Sequence, residues 1–220
     1  RCFDWVIPDE WNLEDAYIAD MSGRRVIDVK DNNLHVMSYS APVDTILARD
    51  ELMTKVFSLP DMPDAIPFVT SYFDDRWAFC ITERQRQGLM TYGEILVPGR
   101  TTKEILIHTY TCHPSMANNE TSGMAVAAYL ARTILDMPDR RYSYRIVFAP
   151  ETIGAVAYIS RNLEALRESV IAGFVLTCVG DDHNWSFLPA RHADTLPERA
   201  ARHVLEKVLK VPYRSFTYAN

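Results

Sequence analysis

The chain has 220 residues, 48% of them hydrophobic, enough to bury a full-sized core in one or two domains. Asp and Glu number 29 against 23 Lys and Arg, and a net charge of −6 argues against a nucleic-acid surface, which needs clustered positive charge. No apolar run approaches the ~20 residues of a membrane span, so a soluble protein without membrane or nucleic-acid partners is expected.

Residues up to Asp20 are turn-rich, with a short helical piece expected near Asn12 to Ala19. Arg24 to Val29 and Leu34 to Ser40 alternate around Asp31-Asn32-Asn33, which reads as a hairpin. Thr45 to Phe57 reads as a short helix, and Pro60, Pro63 and Pro67 then exclude a regular element. Phe68 to Tyr72 and Trp77 to Thr82 flank Phe73-Asp74-Asp75-Arg76 as a second hairpin. Leu89 to Val97 is a further strand, closed by Pro98-Gly99. The pattern up to this point is β-rich, and beyond it strands alternate with helices.

Glu104 to Ala149 organises the rest. Ile105-Leu106-Ile107 continues through Thr109-Tyr110-Thr111 as a buried strand and stops at Cys112-His113-Pro114. Ser122-Gly123 opens a helix with apolar residues at Met124, Ala127, Ala128, Leu130, Ala131, Ile134 and Leu135, and Asp136-Met137-Pro138 closes it. Tyr144 to Ala149 is the next strand, so the two strands are parallel and belong to an α/β layer. A helix over Ile153 to Ser169 follows, then a third strand over Gly173 to Val179. Asp194 to Leu209 reads as a helix with Pro197 in its first turn, and Pro212 to Tyr218 as a last extended piece.

Ligands bind outside the carboxyl ends of strands in such sheets. There the sequence puts His113 with Asn118, Asn119 and Glu120, then Glu151 after Pro150, then Asp181, Asp182 and His183. Imidazole and carboxylate groups converging on one rim suit a divalent metal. His113 taken alone reads first as a turn histidine before a proline, and Glu151 has the alternative of a first-turn residue favoured by the helix dipole. In context Glu151 reads as a general base whose basicity is raised by its partly desolvated rim. His108, five residues before His113, falls on the other strand face and reads as a satisfied core histidine. Cys2, Cys80, Cys112 and Cys178 show no CxxC spacing and read as small hydrophobes in a reducing cytoplasm. A Cys112-dependent transferase or hydrolase is disfavoured, because Cys112 and His113 point to opposite faces. No signal peptide is visible, although the sequence begins at Arg1 without methionine.

The run CHPSMANNETSG, with FAPETIGAVAYI and VLTCVGDD after it, resembles a family of uncharacterised proteins with an aminopeptidase-like domain, often labelled polysaccharide-biosynthesis proteins. FDWVIPDEWNLEDAYI and VTSYFDDRWAFC extend the resemblance over most of the chain. That family is similar to the di-zinc aminopeptidases. The resemblance implies an aminopeptidase-like three-layer α/β fold, helices on both faces of the sheet, with a smaller mainly-β domain inserted in the N-terminal half. The segments would be 1–22, an insertion over 23–97, and an α/β domain over 98–220 that is incomplete at its carboxy terminus. It further implies zinc or another divalent metal, one or two ions, a small peptide or amide substrate, and compatibility with a homo-oligomer. His113 matches the first metal ligand, Ser122-Gly123 the helix start and Glu151 the general base. Glu120 and Asp181 complete the expected ligands, and Asn119, Thr152, Ser115 and Asp182 support them.

Three positions depart from the pattern. Asn119 stands where the zinc enzymes place a bridging Asp, Thr152 where they place a second Glu, and Thr177 near a third-strand Asp. Either Glu120 and Asp181 rebuild the site around a single ion, or the fold is retained as a module that binds a small ligand or partner protein. The resemblance also implies another strand pair between Arg86 and Leu89 and a further half after Asn220, carrying another Asp and a ligand His.

Overall fold

The structure, a computed structural model, describes residues 1–36, 40–56, 76–112, 117–192 and 194–215. The chain is a mixed α/β protein of two compact units, Pro8–Leu89 and Arg1–Ile7 with Met90–Asn220. No helix among the described residues is long and apolar enough to cross a membrane.

The Pro8–Leu89 unit is built on an antiparallel sheet of order β2-β1-β4-β3, from β1 (Glu10–Ala19), β2 (Arg25–Asp28), β3 (Val43–Ala48) and β4 (Arg76–Arg86). β1 corrects the helical reading of Asn12 to Ala19. It runs beside β4 from Glu10↔Arg86 to Ala19↔Ala78 and beside β2 on its other edge, and two ladders outweigh a weak local helix preference. The hairpin is therefore β1–β2, turning at Gly23 (φ 85), and not Arg24–Val29 with Leu34–Ser40. Asn33–His35 is a 3-10 turn, and residues 37–39 lie outside the described residues. The expected helix starts late, as α1 (Arg49–Val56), because Val43–Ala48 pairs with β4 first. Ile18, Leu47 and Leu52 form this unit's core, with Val26, Ile27 and Phe79 against them. Phe68 to Tyr72, the expected partner of β4, lies outside the described residues.

The other unit follows the expected alternation closely: β5 (Gly93–Val97), β6 (Glu104–Tyr110), α2 (Thr121–Asp136), β7 (Ser143–Ala149), α3 (Ile153–Ser169) and β8 (Val170–Val175). The sheet order is β5-β7-β6-β8, with β6 parallel to both β7 and β8 and β5 antiparallel to β7. Ile146 packs with Ala127, Ala131 and Ile134 of α2, whereas the next residue, Val147, packs with Tyr158 and Leu166 of α3. Neighbouring strand residues face opposite sides, so α2 and α3 cover opposite faces of the sheet. On the α3 side Arg145 donates to Glu104 (Nε to Oε2 2.6 Å, Nη2 to Oε1 3.0 Å) and to the Glu94 carboxylate. The Tyr158 hydroxyl donates to the same Glu94 oxygen at 2.6 Å.

The expected third strand ends early. Leu176 N–H still reaches the His108 carbonyl at 2.8 Å, but Cys178 adopts φ 52 and leaves the extended path. Beyond it, β9 (Trp185–Phe187) pairs in parallel with β10 (Tyr213–Ser215), and the expected Asp194–Leu209 helix is α4 (Leu196–His203) continued by a π-helical turn over Val204–Leu209.

Candidate active site

The topology itself marks a place for a ligand. From β6 the chain crosses through α2 to β7 on one side, then returns through α3 to β8 on the other side of β6. Crossovers of one hand running in opposite directions put their helices on opposite faces. In open α/β sheets ligands bind outside the carboxyl end of the strand between two such crossovers. That strand is β6, and its carboxyl end carries Tyr110, followed by Thr111 and Cys112.

Around this end the side chains form two groups. The first is neutral. The Tyr110 hydroxyl donates to Asn119 Oδ1 and also contacts Thr177 Oγ1. Thr177 Oγ1 lies 3.3 Å from the same Asn119 oxygen, and the Cys178 thiol points to it at 3.6 Å. Backbone bonds tie the loops together: Cys178 N–H to the Asn119 carbonyl (3.1 Å), Gly180 N–H to Asn118 Oδ1 (2.8 Å) and Val179 N–H to Ser122 Oγ (3.0 Å). Burial pushes the Tyr110 phenol above its ordinary range, the Thr177 bond opposes that, and the Glu151 and Glu120 charges add to it. Tyr110 therefore stays a donor at neutral pH.

The second group is acidic. Glu120 is 1% exposed, at the start of α2. Glu151 is exposed and follows β7, with the Cys112 thiol donating to its Oε2 at 3.5 Å. Burial raises the Cys112 thiol, the Glu151 amide lowers it, and the Glu151 and Glu120 carboxylates raise it further. A thiol held protonated is a poor nucleophile, which weighs further against the Cys112-dependent reading. His108 behaves as expected of a core histidine: its Nδ1 lies 3.1 Å from the Val147 carbonyl, and burial lowers its pKa.

The remaining expected residues are less convergent. Asp181 is exposed and accepts from His183 N–H (2.8 Å) and Asn184 Nδ2 (3.3 Å), bonds that hold its carboxyl below the ordinary range. Asp182 is likewise exposed, 3.4 Å from the His183 ring. Thr152 begins α3 with no side-chain capping bond. His113 and Ser115 lie outside the described residues. Tyr110 and Cys178 are site residues that the sequence reading passed over; the signal was Tyr110's position as the last residue of a strand aimed at the rim.

Among the described residues no group of three His, Cys, Asp or Glu is placed to hold a metal ion. Asn119 stands where the resemblance leads one to expect a bridging carboxylate, and its oxygen already accepts from hydroxyls. These residues do not fit a two-zinc centre, since a neutral amide oxygen committed to O–H donors cannot bridge two cations.

Comparison with known proteins places this geometry. The chain is 39% identical to a Clostridium acetobutylicum protein named "Putative polysaccharide biosynthesis protein with aminopeptidase-like domain", over 95% of this chain and 51% of that one. It also matches a crystal structure of a "putative peptidase" from Clostridium acetobutylicum, with TM-score 0.86 and 35% identity over 99% of this chain and 55% of that one. The chain spans about half the length of the relatives it matches. Its peptidase-like fold, and a match to the family model over residues 1–219, show that the chain belongs to the family described as Domain of unknown function (DUF4910).

Proposed function

We propose that the chain supplies the catalytic rim of an amide-bond hydrolase of the aminopeptidase type, acting on a small peptide or amide, with Glu151 as general base. The observation that carries this reading is Glu151 itself, an exposed carboxylate just past the carboxyl end of β7, next to that of β6, in a peptidase-like fold. Its carboxylate would take the proton of an attacking water and return it to the leaving amine. Tyr110, kept protonated, holds Asn119 in one orientation at the floor of the site. One divalent ion, zinc by its donors, would be held by His113 and Glu120, with Asp181 joining by giving up its bonds to His183 and Asn184. When bound, such an ion supplies carbonyl polarisation and a more acidic water.

A second reading is favoured by the neutral Tyr110–Asn119–Thr177 group: an altered module that binds a small polar ligand or a partner. Elemental analysis of the undialysed full-length protein, with an aminoacyl-anilide assay, separates the two. Glu151→Gln is expected to lose ~10²–10⁴ in rate while keeping its metal. Metal lost with Glu151→Gln would make Glu151 a ligand, and wild-type protein without hydrolysis would leave the binding module.

A further inference from the structure

We infer that Thr152 is a positioning residue: it holds the turn after β7 in a strained conformation that fixes where the Glu151 carboxylate stands. This rests on the reading of Glu151 as general base. Thr152 has φ 55 and ψ −71, and Ile153 N–H donates to the Glu151 carbonyl at 2.5 Å. Together these make a γ-turn of the rarer, strained hand. Among the described residues five non-glycine residues have positive φ: Phe3, Thr152, Cys178, Asp194 and Lys210. Thr152 is the β-branched one of that set, for which positive φ is a genuine outlier. Cys178 sits on the same rim, after β8.

Two ordinary explanations do not account for it. A threonine at the start of a helix usually caps the first turn from an extended backbone. Thr152 makes no side-chain cap bond, and its carbonyl alone takes the Val156 N–H at 2.9 Å. Nor does the chain lack glycine here. At Gly154 an added Cβ would lie 2.6 Å from Pro150 Cδ and 3.1 Å from the Ala149 carbonyl carbon. Glycine thus stands where the close approach of strand and helix demands it, yet not two residues earlier, where the backbone would be unstrained by it. Pro150 on one side and the tight packing at Gly154 on the other leave Glu151 and Thr152 as the free part of the turn. Strain of this kind persists where the surroundings over-determine it, and it gathers at reactive sites. Its consequence is a fixed backbone at Glu151, just past the end of β7, from which the carboxylate reaches the Cys112 thiol.

The test uses the full-length protein and two variants. Thr152→Gly relieves the strain and frees the turn. Thr152→Val keeps the β-branched backbone and drops the hydroxyl. Urea unfolding should show Thr152→Gly more stable, its unfolding constant lowered about fivefold. In the aminoacyl-anilide assay the same variant should lose about tenfold in kcat with KM little moved, because the base is held in place less of the time. Thr152→Val should lose clearly less. A more stable Thr152→Gly with undiminished kcat overturns the positioning role and leaves Glu151 as base. A Thr152→Gly that gains no stability removes the strain on which the role depends. Equal losses in both variants assign the effect to the hydroxyl and overturn it as well. Wild-type protein without hydrolysis removes the proposed function, and the positioning role with it.

Discussion

Gly123 sits in the first turn of α2, against the sheet. A Cβ added there would lie 2.4 Å from Thr109 Oγ1 and 2.5 Å from the Leu176 carbonyl oxygen. Neither neighbour can give way easily: Thr109 is 0% exposed, and Leu176 is held by its N–H bond to the His108 carbonyl. Gly123→Ala gains about 1 kcal/mol of helix preference. Overpacking against a rigid neighbour costs roughly 1–3 kcal/mol, and here one of the two clashing atoms is backbone, so the upper end applies. The net expectation is a loss of about 2 kcal/mol, or roughly 4–8 °C in Tm for a chain of this size. Urea unfolding followed by tryptophan fluorescence measures it. The displacement of α2 should also loosen the contact of Asn119, four residues upstream of Gly123, with Cys178, two residues beyond Leu176. An alanine variant as stable as wild type, or more stable, would refute the close approach of helix and sheet on which the site is built.

Three further outcomes follow from the ion pairs and hydroxyls. Arg145→Met leaves Glu104 and Glu94 facing each other in a largely covered place, with Arg145 and Glu104 side chains each 13% exposed, and should cost about 3 kcal/mol. Arg145→Met with Glu104→Met should recover part of that in the same unfolding experiment. Burial, with the Glu94 carboxylate assisting, pushes the Tyr158 phenol from 10.0 up to about 12. Its contribution is therefore complete below pH 10 and lost as pH rises toward 12, and Tyr158→Phe should flatten that alkaline fall. The Ser22 hydroxyl and the neighbouring amides hold Asp20 near 2 against an ordinary 3.8. Its stabilisation should be present above pH 4 and fade toward pH 2, where wild type and Asp20→Asn should converge in unfolding midpoint.

The elements around the site were legible because their signals are local. β6 and β7 are β-branched and aromatic runs bounded by proline, and α2 shows its apolar face at helical spacing. β1 was not, because its strand character comes from partners more than fifty residues away in β4, and Leu13-Glu14-Asp15-Ala16 carries no comparable local signature. Glu151 was readable from Pro150 after β7, and Glu120 from the helix start at Ser122-Gly123. The neutral group was not: Tyr110 and Thr177 meet Asn119 through hydroxyls, and neutral hydrogen bonds between distant residues leave no spacing pattern. Thr152 is unreadable for a sharper reason, since its residue type argues against the conformation it adopts.

The placement of β5 has a kinetic consequence. β5 precedes β6 in the chain, yet it pairs with β7, joining Gly93 to Phe148 and Val97 to Tyr144. It has no edge to dock on until β6, α2 and β7 have closed their crossover, in which Glu104 already stands opposite Ser143. Loop closure must precede the reward of a distant pairing, so the crossover is the earlier event and β5 a late addition. Contacts absent from the transition state govern the rate of unfolding and leave the rate of folding nearly alone. Val97, 1% exposed and at the end of that strand, thus secures the lifetime of the folded unit more than the speed of reaching it.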